Sequence, residues 1–99
     1  MMSSDAGRVM RIIIQPVEDR PGEYVASFRS EFLQARYCVY VKDTIFGAMA
    51  LHNFAEMVRK AFGKNYRTGE IEFEVSREQA DFTDKAFLDV VEHRSAFCA

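Results

Sequence analysis

Ninety-nine residues, 48% hydrophobic and 28% charged, with two prolines and five glycines, make one globular domain and exclude a disordered or low-complexity chain. Thirteen basic against fifteen acidic residues leave a formal charge of −2, which lacks the basic excess of a nucleic-acid binder. Two cysteines, Cys38 and Cys98, make neither a disulfide framework nor a zinc site and read as reduced thiols.

In chain order, residues 1–7 are small and polar and read as a disordered N-terminus, 8–94 as a single α+β domain, and 95–99 as a tail. RVMRIIIQPVE, 8–18, is the first strand, with Met10, Ile12 and Ile14 sharing one face. EDRPGE is a turn in which Pro21 presets φ and Gly22 accepts a positive one. EYVASFRS is the second strand and the return arm of a hairpin. FLQARYCVYVK, 32–42, is the third, with Leu33, Ala35, Tyr37, Val39 and Val41 on one face and Phe32, Gln34, Arg36, Cys38 and Tyr40 on the other.

Asp43 or Thr44 caps the helix that follows, which runs to Phe62 and stops at Gly63 with Lys60 in its last turn. Arg59, Lys60, Lys64 and Arg67 cluster at that end, where the helix dipole favours cations. IEFEV, 71–75, alternates strictly, with Ile71, Phe73 and Val75 inward. SREQ offers a capping box from Ser76 to Gln79, and Asp81 or Thr83 could open the second helix instead. Phe82, Ala86, Phe87, Val90 and Val91 form its apolar stripe, ending near His93 or Arg94. The expected fold is a two-layer α+β sandwich of order β-β-β-α-β-α, a four-stranded, mainly antiparallel sheet with two helices on one face.

The first helix departs from ordinary amphipathicity. His52, Asn53, Glu56, Arg59 and Lys60 draw a narrow polar stripe along its second half, opposite Ala55, Val58, Ala61 and Phe62. Extended backwards, the stripe meets Ile45, Ala48 and Met49, inside a run from Ile45 to Leu51 with no polar side chain. Three covers are open: the second helix, a second copy of the chain approaching closely over Gly47, Ala48 and Ala50, or a ligand between helix and sheet. A homodimer would use Ile45, Phe46, Gly47, Ala48 and Met49. A small apolar ligand would sit among Tyr37, Phe46, Met49, His52, Phe73 and Phe87, with His52 or Tyr37 as polar anchor. The outer sheet face competes as a dimer surface, since Val9, Ile13, Val25, Phe32 and Tyr40 share it with Arg11, Arg29 and Arg36. Those arginines face Glu70, Glu72 and Glu74 of the fourth strand as solvated charges or cross-strand pairs.

Chemistry is sparse. His52 and Glu56 stand one helical turn apart and read as an exposed pair, short of the further ligand or nucleophile that a metal or catalytic site needs. Cys38, among aromatics in a strand, reads as inert packing. The glycines of GKNYRTGE close a helix and open a strand, the reverse of a phosphate cradle. Asp81, Asp84 and Asp89 lack a calcium loop's donor pattern and turn glycine. No cofactor, metal or catalytic residue is expected. The N-terminal segment lacks a signal-peptide core and no stretch reaches membrane-spanning length, so a cytoplasmic protein without membrane attachment is expected.

Gly22, Tyr24, Val25 and Ala26 at the hairpin, a third strand, then Asp43 and Thr44 opening a helix resemble HicB-type antitoxins over residues 10–62. The resemblance implies a partial ribonuclease-H-like fold that oligomerises and binds a small toxin. The chain departs from that family in having no Pro-Gly-Cys-type segment before the helix and no evident DNA-binding C-terminal module.

Overall fold

The computed structural model describes residues 10–30, 34–66, 71–75 and 82–94. Expectations that fall elsewhere lie outside the described residues: both flanking segments, Val9, Phe32, Leu33, Glu70, the Ser76–Gln79 capping box, Asp81 and Cys98. Strands β1 (Met10–Pro16), β2 (Glu23–Ser30) and β3 (Ala35–Lys42) precede helix α1 (Ile45–Phe62), strand β4 (Ile71–Val75) and helix α2 (Lys85–Arg94). The fold is α+β, a four-stranded sheet in the order β3-β2-β1-β4 carrying both helices on one face.

β1 and β2 form the expected hairpin, with Ile12 opposite Phe28, and Gly22 takes φ +82 in its turn. β3 continues the antiparallel meander, with Phe28 opposite Tyr37. β4 lies at the far edge, parallel to β1, so the sheet is mixed. Helix length accounts for this. Eighteen residues of α1 rise about 27 Å, which returns the chain to the starting end of β3. The next strand must then run in the direction of β3, which is also that of β1.

Alternation places Met10, Ile12, Ile14, Tyr24, Ala26 and Phe28 on the inner face, all buried. Leu51, Ala55 and Val58 of α1 and Phe87 and Val91 of α2 close over them. Two aromatic groups bridge the layers. Phe62 lies 5.3 Å from Phe28 and 5.4 Å from Tyr37, while Phe82 lies 4.7 Å from Tyr24 and 5.0 Å from Phe87, all between ring centroids.

Each candidate cap holds a different helix. Thr44 caps α1, its Oγ1 accepting the Gly47 N–H at 3.1 Å. Asp43 reaches across the fold instead. Its carboxylate accepts the Thr83 and Asp84 N–H groups and the Thr83 hydroxyl, the last at 2.9 Å. Asp84 in turn caps α2, with Oδ1 accepting the Phe87 N–H at 3.1 Å. Asp43 therefore pins the start of α2 to the β3–α1 corner. Asp43→Ala should cost about 1–2 kcal/mol in urea unfolding. It should also speed amide exchange along α2 relative to β1, and unchanged exchange along α2 would contradict the latch.

At the other end of α1, Gly63 keeps a right-handed φ of −56 and the chain tightens into a 3₁₀ turn over Gly63–Asn65. The helix ends by narrowing, with no left-handed glycine.

Candidate functional site

The first turn of α1 divides into two parts. Gly47 and Ala48 are buried within the subunit. A Cβ on Gly47 would stand 1.6 Å from the Lys42 carbonyl oxygen. The close approach that this glycine allows is to the chain's own β3. Ile45, Phe46 and Met49 project outward at 54, 76 and 58% exposure, and Met57 at 44% continues the apolar surface two turns on. Ala61, expected on the sheet-facing side with Val58 and Phe62, is exposed as well.

α2 covers one flank of this helix start without sealing it. Between the helices runs an open groove of about 380 Å³ lined by Ile45, Ala48, Met49, His52, Asn53, Ala86 and Val90. Of the six residues named for a ligand pocket, the groove holds Met49 and His52. Phe73 and Phe87 are fully buried in the core, Tyr37 is half-buried against Phe62, and Phe46 stands on the outer surface beyond the groove. Asn53, Ala86 and Val90 are the lining residues that pattern reading missed. The α2 stripe contained Ala86 and Val90, but periodicity cannot separate the centre of a buried stripe from its half-open margin.

Electrostatics around the helix are local. The Arg59 guanidinium donates to the Glu56 carboxylate one turn back, and that bond, with the charge of Glu56, raises the arginine above its ordinary value. Among the described residues, no three His, Cys, Asp or Glu side chains cluster so as to hold a metal ion.

The outer sheet face is polar at its β4 edge, and among the described residues no ion pair forms at the other. Arg11 lies 3.5 Å from Glu72 and 3.7 Å from Glu74, so where β1 adjoins β4 the Arg–Glu alternative forms as long, solvent-exposed pairs. Arg29 and Arg36 lie two and three strands from β4 and stand directly opposite each other, both exposed. Like charges so placed are mildly destabilising. Tyr40 is 68% exposed, and Cys38, expected as packing, presents its thiol to solvent on this face.

Fold and surface together define a small two-layer α+β domain with an apolar, half-covered helix start. Comparison with protein-family models, with curated proteins and with solved structures finds no match to this chain. Among the described residues no helix is long and apolar enough to cross a membrane.

Proposed function

We propose that this protein is a non-enzymatic protein–protein interaction module whose first partner is a second copy of itself. The observation that carries this reading is the exposure of large apolar side chains along α1, Ile45, Phe46 and Met49 in its first two turns and Met57 two turns on. Such clusters on small domains mark contact surfaces. Covering a side chain of this class is worth about 1.5–3 kcal/mol before the cost of association is subtracted. Gly47 and Ala48 contribute by holding the helix against β3, so that their larger neighbours face outward. A reducing, cytoplasmic setting fits the exposed Cys38 thiol.

The groove between α1 and α2 favours a second reading, a small apolar ligand held against Met49 and Val90 with His52 and Asn53 at the polar rim. Thermal melting separates the two. Self-association makes the midpoint rise with protein concentration in the absence of any additive. A ligand site makes it rise with small hydrophobic compounds at fixed protein concentration, and a midpoint insensitive to protein concentration would count against the first reading. The HicB-like reading, with a small toxin as partner, draws support from the order β1-β2-β3-α1 between Met10 and Phe62.

A further inference from the structure

We propose that the second copy joins along the free edge of β3, in antiparallel register centred on Cys38, with the two α1 helices packing over the junction. This rests on the self-association proposed above and specifies its geometry.

The backbone comes first. β3 is an edge strand, and no strand among the described residues lies beyond it. The Asp43 N–H donates to the Gly22 carbonyl at 2.8 Å, which makes Gly22 and Asp43 a hydrogen-bonded pair of the β2–β3 ladder. Such pairs alternate. Ala35, Tyr37, Val39 and Val41 therefore turn their amides toward β2, while Arg36, Cys38 and Tyr40 turn theirs to the open side. The β1–β2 ladder agrees in phase: the Val17 N–H donates to the Glu23 carbonyl at 2.9 Å, leaving the even-numbered residues of β2 to bond with β3.

Side chains then select the register. A two-fold axis normal to the sheet keeps inner faces together, so outer-face residues must oppose outer-face residues. Two registers overlap nearly the whole strand. Centring on Val39 sets Arg36 against the partner's Lys42, twice, and calls on the Lys42 carbonyl, which already accepts the Thr44 N–H at 2.7 Å. Centring on Cys38 sets Arg36 against the partner's Tyr40, a guanidinium against an exposed ring. It also lets Arg36, Cys38 and Tyr40 exchange their outward amides with those of the partner. Charge and hydrogen bonding choose the same alignment.

The helix supplies the second layer. α1 packs on β3 and β2 and α2 on β4, and the groove places Ile45, Ala48, Met49 and His52 on the α2 side, outside this contact. The opposite flank of α1 carries Phe46, Ala50, Met57 and Ala61 at helical spacing and faces out beyond β3. α1 runs back along β3, with Gly47 against Lys42 at one end and Phe62 beside Tyr37 at the other. Cys38 lies about 13 Å along the strand from Lys42, about nine helical residues on from Gly47, level with Ala55 and Glu56. The two-fold axis then sets Ala50 against the partner's Ala61, small against small, and Met57 beside its own copy, with Phe46 at the outer end of the contact. With strands about 4.8 Å apart and each α1 seated over the β2–β3 gap, the helix axes stand roughly 10 Å apart, an ordinary packing distance.

The test places single thiols along β3. In a Cys98→Ser background, a short bis-maleimide should couple Cys38 to its copy, the two Cα atoms being about 5.5 Å apart. With Cys38→Ser added, Tyr40→Cys alone should couple at least about tenfold less, its two copies being offset by about 13 Å. It should couple efficiently once mixed with the Arg36→Cys protein. Ala61→Arg, a change at an exposed position, should weaken the dimer by about tenfold or more. A dimeric mass with no coupling at Cys38, or coupling as strong at Tyr40→Cys alone, would overturn this geometry and leave self-association standing. A monomeric mass would overturn both.

Discussion

Gly47→Ala should destabilise the protein by about 3 kcal/mol or more, against the usual sign for this substitution inside a helix. Glycine costs about 1 kcal/mol relative to alanine in a helix interior, so the exchange ordinarily stabilises. At Gly47 the new methyl would sit 1.6 Å from the Lys42 carbonyl oxygen and 2.7 Å from its carbon. Both are backbone atoms, and that oxygen also accepts the Thr44 N–H. The methyl can be accommodated only if α1 lifts from the end of β3, which would disturb the Thr44 cap and loosen Ala48 and Leu51 beneath. Overpacking in rigid surroundings costs about 1–3 kcal/mol and sometimes more. Gly63→Ala is the control. There a Cβ would meet the Met10 and Arg59 side chains at 3.6 and 3.7 Å, ordinary contact distances, and the backbone φ is −56. Urea unfolding should find Gly63→Ala neutral or slightly stabilising, and equal effects at the two sites would contradict the packing described.

Phe87→Ala should cost about 3–5 kcal/mol, the range for removing a buried aromatic side chain. Phe87 is fully buried and meets Tyr24 and Phe82 with ring centroids 6.0 and 5.0 Å away. It anchors α2 to the sheet, so its loss should expose apolar surface and lower the thermal midpoint by well over ten degrees in a domain of this size. Were Phe87 the wall of a ligand cavity with space around it, truncation would cost less than about 1.5 kcal/mol and an added aromatic compound would restore stability.

How legible these features were depends on the range of the physics behind them. The alternation of Ile71, Phe73 and Val75 is local, and β4 occupies the residues expected. The hairpin turn is local too, since the two residues that take positive φ in it, Asp19 and Gly22, are both of types that tolerate it. The parallel seating of β4 beside β1 is not local, because no feature of IEFEV says which strand lies next to it. The same limit governs the site. Gly47 advertised a close approach, and its sequence context could not tell another molecule from the chain's own Lys42. Asp43 and Thr44 both offered a capping oxygen. Only the position of Thr83, forty residues away, frees Asp43 to hold α2. Phe73 and Phe87 pointed inward by period, yet whether the space around them is filled depends on the facing layer. The apolar start of α1 was visible because it breaks a pattern within its own helix. Its outward residues, Ile45, Phe46 and Met49, became separable from Gly47 and Ala48 once α1 was placed on β3.

Self-association through the outward flank of α1 is the claim on which the functional reading turns. Light scattering of the eluting protein at tens of micromolar addresses it most directly. The account predicts a mass of twice 11.4 kDa for the wild-type chain and 11.4 kDa for Phe46→Asp. A wild-type mass that stays at 11.4 kDa across that concentration range would contradict it.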